Sequence, residues 1–117
     1  MKLVLATYNP GKIKEFRNAL APFGVELFSS ADFYVPEPEE TGTSFHENAY
    51  IKALATFKHT DLPSLADDSG FCVDALDGSP GVYSADWAGP NKNFDKAMHR
   101  IKDRLTDHND WTAAFKC

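Results

Sequence analysis

The chain has 117 residues, of which 43% are hydrophobic and 13% aromatic, so it can bury a core and is too apolar to be a disordered segment. A formal net charge of −5 opposes binding of a nucleic acid polymer through a broad basic surface. No apolar run approaches the roughly 20 residues that cross a bilayer, and the amino terminus lacks the hydrophobic stretch of a secretory signal. We therefore expect a single globular domain in the cytoplasm, with neither a membrane nor a nucleic acid polymer as its partner.

The beginning of the chain has the pattern of a β-α-β unit. The apolar run Lys2–Thr7 predicts a buried strand that ends at a turn, and Lys12 then opens a helix whose apolar residues recur every three or four positions. Alternation over Val25–Ser29 predicts a second strand. Strands joined by a helix in this way are expected to be parallel.

A second helix is predicted over Phe45–Phe57, because Ser44 and Glu47 fit a capping box at its start. Helical spacing places Asn48 and Lys52 on the apolar face of this helix, with Glu47 pointing the opposite way. The lysine is equally compatible with a side chain that extends along the apolar face to reach water and with one that contacts a ligand.

Two short strands are predicted in the middle of the chain. Pro63–Ala66 reads as a strand that runs directly into Asp67 and Asp68, and Phe71–Leu76 reads as its partner after a tight turn, with Cys72 as a small core residue. Two adjacent acids thus follow a strand, and the carboxyl ends of strands are where open α/β sheets bind ligands.

The last part of the chain predicts three elements. Val82–Ala85 reads as a brief extended segment, Phe94–Leu105 as an amphipathic helix capped by Asn91 or Asn93, and Trp111–Phe115 as the start of a strand. Because no turn or further element follows, we expect the fold to be truncated at its C-terminal side.

The segment Thr7-Tyr8-Asn9-Pro10-Gly11-Lys12 places a hydroxyl, an amide, a glycine and a lysine between a strand and a helix amino terminus. Backbone N–H groups at that position attract anions, so the segment resembles a phosphate cradle. It is not a Walker A loop, because it has one glycine and Ile13 follows the lysine. A purely structural turn is the alternative interpretation.

The acidic residues predict a metal site. The prolines and glutamates of Pro36–Gly42 predict an exposed loop that carries Glu39 and Glu40, and the strand end carries Asp67 and Asp68. Carboxylates of this kind suit Mg²⁺, which commonly binds through one or two carboxylates plus substrate phosphates. Acids in loops are often only solvent-exposed surface residues. Here Lys12 and Lys52 are candidate phosphate-binding residues, and their presence favours a site for a polyphosphate and its metal.

Four motifs follow one another along the chain: Thr7-x-Asn9-x-x-Lys12, Glu40-Thr41-Gly42-x-x-Phe45-x-x-Asn48-Ala49-x-x-Lys52, Ala66-Asp67-Asp68-Ser69-Gly70 and Pro80-Gly81-Val82-Tyr83-Ser84-Ala85. In order and spacing they resemble the inosine triphosphate pyrophosphatase family. The resemblance implies an α/β fold with a mixed, elongated sheet flanked by helices, of which residues 1–117 would form the N-terminal portion of the nucleoside triphosphate pyrophosphatase domain. It also implies a homodimer.

The activity that the resemblance implies is Mg²⁺-dependent hydrolysis of ITP, dITP and XTP to the monophosphate and pyrophosphate, which cleanses the nucleotide pool. Glu40 and Asp68 would bind Mg²⁺, Asp68 would also be the general base, and Asp67 would support this site. The residues implied to contact the substrate are Thr7, Tyr8, Asn9, Pro10, Gly11, Lys12, Lys52 and Ser69.

Two departures from the family pattern affect these expectations. Asp86 stands where an arginine is expected after Ala85, and the FGYDP-like and Ser-His-Arg segments that grip the base in the family are absent. The resemblance therefore extends to the triphosphate and metal residues and not to the segments that contact the base. The alternative function is a catalytically incompetent fragment that binds Mg²⁺ and nucleotide phosphates or a partner chain.

Overall fold

The computed structural model describes residues 1–117 and has the expected α/β class. The five strands are β1 Lys2–Leu5, β2 Glu26–Ser29, β3 Ser64–Leu65, β4 Gly70–Val73 and β5 Ala113–Lys116. The four α-helices are α1 Pro10–Leu20, α2 Phe45–Thr60, α3 Ser84–Ala88 and α4 Phe94–Arg104. None of the helices combines the length and the apolar character that a membrane-spanning helix requires.

The strands form a three-stranded sheet in the order β2-β1-β3 and a two-stranded sheet of β4 and β5. The first sheet is parallel throughout and the second is antiparallel, so the expected mixture of pairings is divided between two sheets. The chain also divides into two compact units, Met1–Asp67 and Asp68–Cys117.

The first unit contains the predicted β-α-β start. β1 and β2 pair in parallel from Lys2 opposite Glu26 to Leu5 opposite Ser29, which confirms the expected direction. Val4 and Leu5 are fully buried because β1 is the central strand of its sheet. The helix α1 begins at Pro10, two residues before the predicted start, since the fixed φ and missing N–H of proline suit the first turn of a helix.

The helix α2 begins at the predicted residue and continues past Phe57 to Thr60. It ends where Asp61 adopts a left-handed conformation and donates its N–H to the carbonyl of Phe57. Asn48 and Thr56, each 2% exposed, mark the buried face, which confirms the predicted place of Asn48.

The predicted pairing of the two middle strands with each other is wrong. β3 pairs with β1, whereas β4 pairs with β5 from Gly70 opposite Lys116 to Val73 opposite Ala113. The sequence suggested a hairpin because the two strands are close in the chain, but strand pairing also depends on partners distant in sequence. Cys72 is buried at 6% exposure, which confirms the core interpretation.

The predicted extended segment Val82–Ala85 is wrong. A 3₁₀ turn occupies Gly81–Tyr83, and α3 starts at Ser84. The Ser84 hydroxyl donates to the Gly81 carbonyl at 2.6 Å, a local bond that favours a turn over a strand. α4 is confirmed with Asn93 as its cap, whose Oδ1 accepts from the Lys96 N–H at 3.2 Å.

Candidate active site

The loop between β1 and α1 is built around a helix cap. The Asn9 Oδ1 accepts hydrogen bonds from the backbone N–H groups of Gly11 at 2.9 Å and Lys12 at 3.4 Å. The Thr7 Oγ1 accepts from the Asn9 N–H at 3.1 Å, which holds the cap against the end of the strand. The N–H groups of Gly11 and Lys12, which the sequence suggested would attract anions, therefore already have an acceptor within the loop.

The ammonium of Lys12 lies 2.6 Å from the Asp67 Oδ2. Lys12 follows β1 and Asp67 follows β3, and the two strands are adjacent and parallel, with Leu5 opposite Leu65. Their carboxyl ends therefore share one edge of the sheet, which brings together residues that are 55 positions apart in the chain. The side chains are 28% and 18% exposed, so a ligand can reach the pair from water.

Tyr8 connects the same loop to the residue before Pro36–Gly42, the acidic loop. Its hydroxyl donates to the carbonyl of Val35, which is 2% exposed and directly precedes Pro36. The Tyr8 side chain itself is 40% exposed. One side chain thus connects the predicted phosphate loop with the loop that carries the predicted metal ligand Glu40.

The acidic loop contacts α2 at two points. The Lys52 ammonium lies 3.6 Å from the Glu40 Oε1, and the Asn48 Oδ1 accepts the backbone N–H of Gly42 at 2.8 Å. Asn48 and Lys52 are one helical turn apart on the buried face. The polar residues that the sequence placed on an apolar face therefore both face this loop.

The amino terminus of α2 fixes the end of the acidic loop. The Ser44 Oγ accepts the Glu47 N–H at 3.1 Å, and the Glu47 carboxylate accepts the backbone N–H of Thr43 at 2.7 Å and its hydroxyl at 3.2 Å. These bonds from Thr43 lower the pKa of Glu47, because they stabilise the charged carboxylate. Ser44 caps α2 as predicted, whereas the Glu47 carboxylate bonds to Thr43, the residue that precedes Ser44.

In the second unit, Asp68 and Ser69 directly precede β4 and are partly buried. The Ser84 Oγ accepts the N–H of Phe71 at 2.9 Å while it donates to the Gly81 carbonyl. At Gly70 a Cβ would lie 2.1 Å from the Gly81 carbonyl oxygen, so only glycine fits. The fourth motif therefore supports the residues that immediately follow Asp68.

Asp86, which replaces the expected arginine, lies on the exposed first turn of α3. The neighbouring Trp87 packs against the core of the second unit and stacks with two guanidinium groups, those of Arg100 at 4.1 Å and Arg104 at 4.9 Å from the ring centroid. The cations beside Trp87, the residue after Asp86, therefore belong to α4.

The donor chemistry of the acids fits a hard divalent cation. Glu40 and Asp68 offer carboxylate oxygens, and within residues 1–117 no group of three or more His, Cys, Asp or Glu side chains could hold a metal. Mg²⁺ does not require such a cluster, because substrate phosphates and water complete its octahedral shell. Carboxylates beside lysines fit a metal that arrives with a polyphosphate.

The structure thus joins several residues that the sequence singled out. Within the first unit, Lys12 contacts Asp67 and Lys52 contacts Glu40, while Asp68 and Ser69 belong to the second unit. Sequence reasoning assigned no role in holding the loops to Asn48 and Ser84. The only signal for them was a polar residue on a helical face otherwise rich in apolar residues, and this signal identified Asn48 but not Ser84.

A family model and curated relatives identify the same kind of protein as similar to this chain. The model of the Ham1 family matches residues 3–117. The chain is 54% identical over 109 residues to a dITP/XTP pyrophosphatase of Mesorhizobium japonicum, covering 91% of this chain and 50% of that protein. It is 56% identical over 107 residues to a dITP/XTP pyrophosphatase of Bartonella quintana, covering 89% and 50%.

A solved structure supports the same relationship. The HAM1 protein from Coxiella burnetii superposes with a TM-score of 0.93 at 38% identity, covering 98% of this chain and 59% of that one. The chain spans about half the length of the curated relatives it matches. With a family model that matches nearly all of its residues and relatives above half identity, the chain belongs to the Ham1 family.

Proposed function

We propose that this protein hydrolyses nonstandard purine nucleoside triphosphates, with ITP, dITP and XTP as substrates and Mg²⁺ as the metal ion. The observation that carries the proposal is the similarity to relatives named dITP/XTP pyrophosphatase over about nine-tenths of this chain. The lysine–carboxylate pairs support it, because a polyphosphate with its metal requires both charges in one site. The activity would remove nonstandard nucleotides from the nucleotide pool.

The reaction divides the triphosphate between its first and second phosphorus atoms. The oxygen of a water molecule bonds to the α-phosphorus, and the bond from that phosphorus to the oxygen bridging to the β-phosphorus breaks. Pyrophosphate leaves with the electron pair, and the attacking water loses a proton. Negative charge therefore grows on the leaving pyrophosphate, and the site must stabilise that charge.

Lys12 and Lys52 are the proposed cations for the phosphate oxygens. An ammonium has three N–H donors, so the contact with Asp67 leaves Lys12 able to donate to a phosphate oxygen at the same time. Asp67 thereby orients the ammonium at the edge of the parallel sheet. Lys52 would reach the triphosphate from α2, where it contacts Glu40.

Asp68 is the proposed general base, which orients the attacking water and accepts its proton. Glu40 and Asp68 would hold Mg²⁺, which when bound neutralises charge on the phosphate oxygens and on the leaving group. Asp67 and Ser69 flank the base in sequence and are proposed to support it, with the Ser69 hydroxyl as a further donor to the substrate.

The loop after β1 is proposed to complete the phosphate contacts. Because the Asn9 Oδ1 caps α1, its amide nitrogen is the group that would donate to a phosphate oxygen. The Thr7 hydroxyl lies against the same cap. Tyr8, Pro10 and Gly11 would shape the loop by fastening it to Val35, starting the helix and allowing close approach of the backbone.

The test is pyrophosphate release by the purified chain with Mg²⁺ and, separately, ITP, XTP, dITP and ATP. We expect release to favour the nonstandard nucleotides and to fall at least a hundredfold in Asp68→Asn, because the base is lost. The matched control is Asp107→Asn, the same change at an exposed turn residue, which should keep full activity. Sedimentation velocity of the same sample tests the proposed homodimer.

Undiminished release by a folded Asp68→Asn variant would refute the assignment of the base. Binding of Mg²⁺ and nucleotide without release would favour the alternative function, in which the chain binds phosphates and metal but turns nothing over. Circular dichroism of each variant separates a loss of chemistry from a loss of folding.

A further inference from the structure

The side-chain amide of Asn48 on α2 holds the loop that carries Glu40. Asn48 is 2% exposed, and its Oδ1 accepts the N–H of Gly42, two residues after Glu40, at 2.8 Å. A buried amide oxygen bonded to a backbone N–H is costly to remove, since the N–H would be left without its acceptor. This bond therefore fixes the position of the loop relative to α2.

Close packing at Gly42 adds to the same restraint. A Cβ at this position would lie 2.6 Å from the Asn48 Oδ1 and 2.7 Å from the Glu47 Cβ, distances that require one of these atoms to move. The backbone therefore approaches the helix as closely as glycine allows. One turn further along the same helix, the Lys52 ammonium lies 3.6 Å from the Glu40 Oε1. The loop is thus held by its backbone and by the side chain of its acid.

We propose that Asn48 is a positioning residue for the Glu40 carboxylate, and that its bond to Gly42 sets the affinity of this chain for a divalent cation. Asn48 itself contacts neither the metal nor the substrate. The inference rests on the proposed function only in assigning Glu40 as a metal ligand. Residues that orient a ligand from outside its immediate shell typically change metal affinity by about 10- to 100-fold when they are altered.

The experiment measures binding of Mn²⁺, a paramagnetic substitute for Mg²⁺, by the loss of its free-ion electron paramagnetic resonance signal. We expect Asn48→Ala to raise the Mn²⁺ dissociation constant of the full chain by about 10-fold. Amide hydrogen exchange at Gly42 should accelerate in the same variant, because its N–H loses the acceptor.

The matched control is Thr56→Ala. Thr56 is also 2% exposed on α2, and its hydroxyl bonds with the Ser30 hydroxyl at 3.3 Å, outside the acidic loop. This variant removes a buried polar group from the same helix, so it should lose stability without changing the Mn²⁺ dissociation constant. If Asn48→Ala fails to fold, Gly42→Ala tests the same contact and leaves the buried side chains of α2 in place.

The outcomes separate this inference from the proposed function. Wild-type affinity for Mn²⁺ in a folded Asn48→Ala or Gly42→Ala variant would overturn the inference, as would equal weakening in Thr56→Ala or the absence of Mn²⁺ binding by the wild-type chain. Pyrophosphate release is measured separately on the wild type. A chain whose Mn²⁺ affinity depends on Asn48 yet that releases no pyrophosphate would support the inference while refuting the proposed function.

Discussion

Lys12 differs from the other lysine on the first helix by a single carboxylate contact. Its ammonium lies 2.6 Å from the Asp67 Oδ2, whereas Lys14, two residues further along α1, is exposed. We expect Lys12→Met to reduce kcat/KM for ITP by about 100-fold, the usual order for removing one donor to a developing charge. Lys14→Met should leave kcat/KM unchanged. Steady-state kinetics of the two variants decides the matter, and equal values for both would remove Lys12 from the site.

The same substitution should change stability little. The two side chains of the Lys12–Asp67 pair are 28% and 18% exposed, and ion pairs that water reaches contribute about 0 to 1 kcal/mol. A large loss of activity with a small loss of stability would therefore identify a functional lysine. The sequence alone could propose Lys12 from its place between a strand and a helix, but it could not show that Asp67 is its partner, because that contact depends on β1 and β3 being neighbours.

At the scale of elements, the Ser84 hydroxyl connects two backbone groups at the start of the second unit. It accepts from the Phe71 N–H at 2.9 Å and donates to the Gly81 carbonyl at 2.6 Å. We expect Ser84→Ala to lower the free energy of unfolding by about 2 kcal/mol, because the backbone groups lose their partner in a partly buried place. Urea denaturation measures this difference.

The control for that element is Thr106→Ala. Its hydroxyl donates to the Lys102 carbonyl at 3.4 Å on an exposed helix end, so the stability should change by less than about 0.5 kcal/mol. If Ser84→Ala is as mild as this control, the hydroxyl does not fasten β4 to the turn before α3.

Elements defined by local chemistry were predictable from the sequence, and those defined by distant partners were not. α1, α2 and α4 follow from apolar spacing, and the sequence also offered Ser44 and Asn93 as caps, whereas the capping role of Asn9 emerged only from the structure. The pairing of β4 with β5 depends on residues some 40 positions away, and no local pattern encodes it. α3 was missed because its five residues are too few to show helical periodicity.

At the scale of the whole chain, the charge balance limits which partners can bind. Seventeen acids against twelve lysines and arginines exclude a broad cationic surface, so a polyphosphate must be attracted by individual lysines and by a metal ion. The sequence could therefore predict that the candidate site contains lysines for the phosphates and carboxylates for the metal ion. The restraints at Asn48 and Gly42 could not, because a hydrogen bond across a loop leaves no periodic signal in the sequence.

This balance predicts that the nucleotide stabilises the folded chain more when the metal ion is present than when it is removed. A ligand that binds the folded state alone, at 100 times its dissociation constant, stabilises that state by about 2.7 kcal/mol, which for a chain of this size raises Tm by roughly 10 °C. The measurement is thermal unfolding with Mg²⁺ and an ITP analogue that has an imido bridge between the α- and β-phosphorus atoms. We expect a smaller shift with the analogue in EDTA, because the acids would then face the triphosphate without a cation between them.

The Tm shift and pyrophosphate release together distinguish the two functions considered for this chain. A shift that requires Mg²⁺, together with pyrophosphate release from ITP, would agree with catalysis, whereas the same shift without release would agree with binding alone. An unchanged Tm with Mg²⁺ and the analogue at millimolar concentration would contradict both catalysis and nucleotide binding, because each requires the lysines and acids to engage a metal-bound triphosphate. Thermal unfolding therefore tests the site as a binding site, independently of whether Asp68 activates a water molecule.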